Sequence, residues 1–342
     1  MGDNILTMIK VIELPIDKDM GGLTSYVLQL YRMIDKKEFE LTLLSYDDPQ
    51  NFDVNYKVET VSRPYHIIQF YKKMKCLLSE GKDIIHFHQS YVNIIPILIA
   101  KLAGFKTIIL HAHSSSIDDN RRIVRFLKTG LHKVGRFLLP YLVDTYIGCS
   151  TKASEWMFPR KCIDSDSYYL LHNAIDLDLY DRNINLGLEI RQKFNIPKDA
   201  LVIGHIGRFT PVKNHPFIID IFKEVLKQNP NSYLFLLGDG VERHKVESLV
   251  KLAAISDKVI FMGYVNNTVE VMQAIDIMIL PSLFEGLPLI AIESQALGIP
   301  ILVSDTITQE VVLTDLCTSL PIDNPEQWAY EIMSKFGKNK YM

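Results

Sequence analysis

Cysteine is scarce in this chain. Its 342 residues hold four, Cys76, Cys149, Cys162 and Cys317, far apart and with no CxxC pair. That argues against a disulfide framework and a cysteine-based zinc site, and fits a reducing compartment. Long apolar runs are missing too. No stretch approaches the ~18 residues of a membrane-spanning helix; residues 94–100 and 137–143 are short and sit beside or around Pro96 and Pro140. The start, Met1-Gly2-Asp3-Asn4, lacks the basic region and apolar core of a secretory leader. Nor is there an excess of either charge. The 37 basic and 40 acidic residues leave a net −3, too balanced for a general nucleic-acid binder. Neither GxGxxG nor HExxH occurs, which counts against a dinucleotide dehydrogenase and a zinc hydrolase.

What is present is an ordinary globular balance, 48% hydrophobic and 23% charged, long enough for two domains at ~150 residues each. Short β-branched runs alternate with longer amphipathic ones. Residues 8–14, 41–46, 83–88, 107–110 and 145–148 read as strands, and 23–34 as a helix. The rhythm breaks between 173 and 198, where Asp176, Asp178, Asp181, Asn183, Asn185 and Pro197 crowd together. It restarts with strands at 201–206, 233–237, 259–262, 277–280 and 301–304, and helices at 216–227, 241–254 and 289–297. Apolar strands separated by helices mean parallel sheets covered on both faces. The expectation is therefore an α/β chain of two Rossmann-like domains, 1–180 and 181–342, facing a central cleft. In such sheets ligands bind at the carboxyl ends of the strands.

Four groups of residues stand at those ends. In Pro281-Ser282-Leu283-Phe284-Glu285-Gly286-Leu287-Pro288 a strand gives way to a helix expected to begin near Leu287, with Pro288 in its first turn. Glu285 then lies in the loop and Glu293 in the helix, while the helix start offers a positive dipole end to an anion. The plain alternative is an exposed Glu285 and a paired Glu293. In Gly207-Arg208-Phe209-Thr210-Pro211-Val212-Lys213-Asn214, Arg208 and Lys213 would present two fixed cations, or else be solvated surface charges. Gly21 and Gly22, after Met20, let backbone approach a phosphate or a sugar between the first strand and helix. Finally, His86 and His88, and His111 and His113, form two H-x-H pairs whose spacing puts each pair on one face of a strand. No cysteine or HExxH partner supports zinc, so no metal is expected. The triplets Asp17-Lys18-Asp19, Asp164-Ser165-Asp166 and Asp176-Leu177-Asp178 carry almost no weight, since such spacing arises easily by chance in a chain with 40 acidic residues.

One local charge run stands out. Arg121, Arg122, Arg125, Lys128, Lys133 and Arg136 follow one another with no acid between Asp119 and Asp144. Interleaved Ile123, Val124, Phe126, Leu127, Leu131, Val134 and Phe137 make it a basic amphipathic helix, suited to anionic lipid headgroups or simply solvated on one face.

These motifs, in this order, resemble the family-4 retaining glycosyltransferases of the GT-B fold, and within them the bacterial capsule and exopolysaccharide enzymes. The likeness runs from Met20-Gly21-Gly22 through residues 83–88, His172-Asn173-Ala174-Ile175-Asp176, residues 207–213 and Gly238-Asp239-Gly240 to the E-x7-E element Glu285–Glu293. It implies transfer of a hexose from a nucleotide-sugar donor, a UDP-sugar foremost, to a glycan or lipid-linked acceptor in cell-surface polysaccharide synthesis. It implies no cofactor and no metal. Arg208 and Lys213 would hold the diphosphate, Glu285, Gly286 and Leu287 the donor at the helix start, and Glu293 the ribose. Gly21 and Gly22 would close over the donor. His113 matches the histidine beside the reacting sugar, with His111 the other candidate, so His113 and Glu285 are the expected catalytic pair. Partners implied are the donor, the acceptor and an anionic membrane surface met through Arg121, Arg122 and Arg125, with no nucleic acid, for a cytoplasmic and peripheral protein. Asn173-Ala174 replaces the family's frequent Asn-Gly, and the final helix that crosses back onto the first domain reads as missing or shortened. The same fold would also serve a sugar-nucleotide epimerase, a hydrolase, or a catalytically weak sugar-binding subunit.

Overall fold

The computed structural model describes residues 8–16, 21–48, 56–265 and 267–339. Residues 1–4, the triplet Asp17-Lys18-Asp19, Met20 and the chain end at 340–342 lie outside them. Contacts divide the chain between Asn173 and Ala174 into two units; the sequence reading places the division at 180/181.

The first unit is a parallel sheet with helices between its strands. In chain order these are β1 (Ile9–Ile16), α1 (Gly22–Met33), β2 (Phe39–Ser45), β3 (Val58–Thr60), α2 (Ile67–Ser79), β4 (Ile84–Gln89), α3 (Ile94–Ala103), β5 (Thr107–Ala112), α4 (Arg122–Leu142), β6 (Thr145–Gly148), α5 (Thr151–Met157), α6 (Arg160–Ile163) and β7 (Tyr168–Leu170). The strand order is β3-β2-β1-β4-β5-β6-β7. Progression to one side stops at β3 and resumes on the other side with β4, so the topological switch lies between β1 and β4. The central strands are buried almost throughout, as the unbroken apolar runs require. Helix ends follow local chemistry. Asn93 caps α3 by accepting from the Ile95 N–H, and Gly104 ends it in the left-handed region at φ 105.

The second unit repeats the plan with α7 (Ile184–Lys193), β8 (Leu201–Ile206), α8 (His215–Gln228), β9 (Ser232–Leu237), α9 (Arg243–Leu252), β10 (Val259–Gly263), α10 (Thr268–Met272), β11 (Ile277–Leu280), α11 (Leu289–Ala296), β12 (Ile301–Ser304), β13 (Cys317–Leu320) and α12 (Pro325–Asn339). Its parallel sheet runs β10-β9-β8-β11-β12-β13, with the switch between β8 and β11. Helix α12 packs on α8, and Trp328, Phe222 and Ile332 meet in the core there. The Trp328 indole N–H donates to the Pro321 carbonyl at 2.7 Å.

Three strands escape the sequence reading: β3, β7 and β13. Each pairs on one side only, as the outermost strand of its sheet, and each is three or four residues long. An edge strand needs no continuous apolar run, so periodicity carries little trace of it. Helix α9 starts at Arg243 and not at 241, after Gly240 at φ 153.

Candidate active site

The β8/β11 switch of the second unit assembles the first cluster. The loop after β8 carries Arg208 and Lys213, and the loop after β11 carries Glu285. Lys213 Nζ lies 2.6 Å from Glu285 Oε1, with both side chains largely buried. Backbone ties the loops together, the Leu283 N–H donating to the Val212 carbonyl at 2.8 Å. Gly207 makes room for the lysine stem: a Cβ there would stand 3.1 Å from Lys213 Cε. Gly238, at φ +122, packs directly against the Gly207 carbonyl, a conformation and an approach that exclude a side chain. The Ser282 carbonyl accepts from Thr306 Oγ1 at 2.9 Å, which fixes the β11 loop to the end of β12.

Two expectations need correction here. Arg208 is exposed and forms no ion pair among the described residues, so only Lys213 is a fixed cation. And α11 begins at Leu289, not near Leu287. Pro288 is its N-cap at φ −70 and ψ 115, extended backbone that keeps residues 285–288 in the loop. Gly286 and Leu287 are buried immediately before that cap. Glu293, within α11, accepts from the Tyr180 hydroxyl at 3.0 Å. Burial raises its pKa against that hydrogen bond. Tyr180 carries no motif; a tyrosine after an aspartate-rich connector gives no sign of its partner.

The β1/β4 switch of the first unit builds the second cluster. Glu13 on β1 is the register partner of His86 on β4, and His88 is the partner of His111 on β5. A step of two keeps side chains on one face, so His113 joins them just past the end of β5. Glu13 Oε2 lies 2.6 Å from His88 Nε2 and 3.0 Å from His86 Nδ1. His88 Nδ1 lies 2.8 Å from His113 Nε2. The Tyr26 ring of α1 covers the group, its centroid 5.1 Å from those of His111 and His113. His111 is fully buried, whereas His113 is only partly so; of the two sequence candidates His113 is the one open to a ligand. Glu13 and Tyr26 are absent from the sequence reading, although a carboxylate inside an apolar strand demands a buried partner. At the start of α1, Gly21 is the N-cap at φ −69 and ψ 170, and a Cβ on Gly22 would meet no described atom within 4 Å.

Ligand atoms of His86, His88 and His111 lie within 4.8 Å of one another, close enough for a metal ion. His88, however, has both ring nitrogens in hydrogen bonds, so ligation would break one of them. The triplet Asp164-Ser165-Asp166 is surface chemistry, with Asp164 paired to Arg160 at 3.1 Å, and Asp176 accepts from the Asp178 N–H in a short turn.

The basic run forms α4, a 21-residue helix that keeps Pro140 inside it. Its buried stripe is His132, Gly135 and Leu139. Gly135 packs directly on Val92, whose N–H donates to His132 Nδ1 at 3.0 Å. The opposite side leaves Ile123, Phe126, Leu127, Val134, Phe137 and Tyr141 exposed. Arg122, Arg125 and Lys133 are exposed as well. Arg121 differs from its expected place on the helix. It is the N-cap, 3.2 Å from Asp119, and Lys128 is 2.9 Å from the same carboxylate. Arg136 donates to the carbonyls of Trp156 and Phe158. Among the described residues no helix is long and apolar enough to cross a membrane.

A cavity of about 260 Å³ lies at the amino ends of β8 and β11, the opposite end of these strands from the Lys213–Glu285 pair, lined by Arg182, Arg191 and Asp276 among others. Its guanidinium groups are taken by the carbonyls of Met272, Ile275 and Ala274 and by Asp276 at 2.7 Å. These contacts tie the connector to the sheet.

Known proteins match this arrangement in both units. Residues 20–179 match the model of Glycosyltransferase Family 4, and residues 188–335 that of Glycosyl transferases group 1. EpsF of Bacillus subtilis (strain 168), a glycosyltransferase by name, is 27% identical over 92% of this chain and 85% of its own. The UDP-Gal:alpha-D-GlcNAc-diphosphoundecaprenol alpha-1,3-galactosyltransferase of Escherichia coli is 23% identical over 87% and 79%. The crystal structure of Anabaena Alr3699/HepE in complex with UDP and glucose superposes at a TM-score of 0.79, with 14% identity, over 98% of this chain and 91% of that one. With two parallel α/β units and both family models matched in order, the chain belongs to the family-4 glycosyltransferases of the GT-B fold.

Proposed function

We propose that this glycosyltransferase moves a hexose from a UDP-sugar, with retention at the anomeric carbon, to a lipid-linked acceptor of cell-surface polysaccharide synthesis. The observation that carries the reading is the Lys213–Glu285 pair at the β8/β11 switch, 2.6 Å apart. A cation for phosphate and a carboxylate for sugar hydroxyls are what a nucleoside diphosphate sugar needs at one point. The named substrates of the Escherichia coli galactosyltransferase, UDP-galactose and a diphosphoundecaprenol sugar, support the donor and acceptor classes. The UDP and glucose held by HepE support the donor again.

In this reading Lys213 releases Glu285 when the diphosphate arrives and contacts a phosphate oxygen as a point charge. Arg208, exposed beside it, adds a second cation. The amino end of α11, with Gly286 and Leu287 just before it, faces the growing charge of the leaving diphosphate. Glu285, once the lysine turns to the phosphate, orients donor hydroxyls, and Glu293, steadied by Tyr180, accepts from the ribose. Gly21 and Gly22 let the start of α1 approach the donor, and His113 stands beside the reacting sugar. The acceptor hydroxyl attacks on the face the diphosphate leaves, and a leaving phosphate oxygen takes its proton. No carboxylate need serve as a nucleophile, unlike in retaining glycosidases. The exposed apolar and basic residues of α4 would bring the enzyme to an anionic bilayer, where a lipid-linked acceptor resides.

A thermal-shift panel of nucleotide sugars tests the donor assignment, since a ligand that binds the native state raises apparent stability. UDP-sugars should raise the melting temperature and GDP- or ADP-sugars should not. A response to no UDP-sugar would remove the donor assignment.

A further inference from the structure

We propose that Glu13 and His88 are positioning residues that hold His113 as its Nε2–H tautomer, leaving the His113 Nδ1 lone pair to accept a hydrogen bond from a substrate hydroxyl. The proposal rests on the reading that His113 stands beside the reacting sugar.

The chain of hydrogen bonds fixes the protons one after another. Glu13 is 1% exposed, and an unpaired carboxylate so deep would be costly. Its pKa is held below the usual carboxylate range. Burial works the other way, and the His86 and His88 imidazoles outweigh it. An ionised carboxylate only accepts, so the nitrogens facing Oε2, His88 Nε2 at 2.6 Å and His86 Nδ1 at 3.0 Å, both carry hydrogen. Burial and the neighbouring His86 bring the pKa of His88 down to about 4 against the pull of Glu13, so His88 is neutral at pH 7 and its Nδ1 is bare. A bare Nδ1 can only accept. His113 Nε2, 2.8 Å away, must therefore be the donor. Burial and the imidazoles of His88 and His86 hold His113 well below its ordinary pKa as well. Its single proton is then spent on His88, and Nδ1 is left as an acceptor.

Packing holds the ring in place. Tyr26 and His111 lie against His113 at centroid distances of 5.1 and 4.2 Å. Glu13, His86, His88 and His111 are all buried, whereas His113 is partly open, so the relay runs from the sheet interior to its one accessible member. His113 removes no proton in this role. It selects a hydroxyl donor, and with Glu13 ionised it cannot turn into a donor without giving up its bond to His88.

The test uses the full-length protein labelled with 15N-histidine, at neutral pH and without substrate. The His113 resonances are identified by their loss in His113→Ala. The expected result is the Nε2–H tautomer for His113, with an unprotonated Nδ1. Glu13→Gln should scramble that tautomer and lower kcat by at least about tenfold with the donor KM little changed, and Glu13→Asp should restore part of both. His88→Gln provides the same readouts should Glu13→Gln fail to fold. A wild-type His113 protonated at Nδ1, or charged, would overturn the relay while leaving the site reading intact. So would a folded Glu13→Gln with unchanged tautomer and kcat. His113→Ala with wild-type transfer would instead overturn the contact with substrate, whatever the tautomer.

Discussion

Lys213 and Glu285 neutralise each other across the gap between two strand-end loops, Nζ to Oε1 at 2.6 Å. In the proposed function this salt bridge is a storage form of the two charges that a nucleotide-sugar donor needs. The diphosphate would compete with Glu285 for the lysine, and the sugar hydroxyls would compete with Lys213 for the carboxylate.

That competition sets the sign of two substitutions. Glu285→Gln keeps the size of the side chain and releases the lysine. Turnover should fall by about 100-fold or more, the scale of losing one preorganised group at a developing charge, while UDP should bind as well as before or more tightly. Lys213→Met should weaken UDP itself, by about 10- to 100-fold for one charge-assisted contact. Calorimetric titration with UDP separates the two. If Glu285→Gln lost UDP binding along with turnover, the carboxylate would belong to the diphosphate site and not to the sugar.

On the proposed function transfer should survive EDTA, because Lys213 and the amino end of α11, with the exposed Arg208, would provide the positive charge. The measurement is the initial rate before and after chelation. A loss restored by manganese or magnesium would assign the charge to a metal, and the His86, His88 and His111 group would be the first place to look for it.

Membrane binding should depend on some of the basic residues of α4 and not on others. Arg121 and Lys128 share the single Asp119 carboxylate, which answers one of their two charges, whereas Arg122, Arg125 and Lys133 project from the helix with no acid partner among the described residues. Each free cation near an anionic surface contributes about 1 kcal/mol. Changing those three to Gln should weaken co-sedimentation with anionic vesicles by about 100-fold. Arg121→Gln, which removes one charge, should weaken it far less than the triple change, and neutral vesicles should bind poorly throughout. Equal sedimentation of the triple variant and wild type would leave α4 as a solvated helix.

Acid should destabilise the second unit before its carboxylates titrate. Burial first, then a neighbouring imidazole or Lys213, lowers His205 to about 4 and His215 to about 2. An unfolded histidine titrates near 6.5. Above that value neither state is protonated and stability is at its full level. Below it the unfolded chain takes up protons that the native fold refuses, so stability falls by up to about 1.4 kcal/mol per pH unit for each histidine, down towards about pH 4. His215 stacks on Phe209 at 4.1 Å, so His215→Phe keeps an aromatic ring and removes one proton. Urea unfolding at several pH values should show a shallower acid slope for that variant. An unchanged slope would mean that His215 titrates alike in both states.

Much of this was legible in the residues. Four strands, at 145–148, 201–206, 277–280 and 301–304, fall where the apolar runs place them, because a buried parallel strand must be apolar from end to end. The loop after β11 was legible through its glycine, its prolines and its lone glutamate. Glu13 was not, because a single acid within Ile9–Ile16 shows no spacing, and its histidine partners are about 70 residues away in the chain. Arg121 and Arg122 look alike in a charge run and differ only in that one of them meets Asp119. Register and cross-strand distance decide such cases, and neither is written in local periodicity.

The transfer itself is the most direct test. Wild-type protein and Glu285→Gln are each incubated with UDP-[14C]hexose and a membrane extract containing lipid-linked acceptors, and the label is separated into lipid, water and unreacted donor. The expected result is label in the lipid fraction with the wild type, and about 100-fold less with Glu285→Gln. Label released only as free sugar, or lipid product formed equally by both proteins, would contradict the assignment of transferase chemistry to the Lys213–Glu285 site.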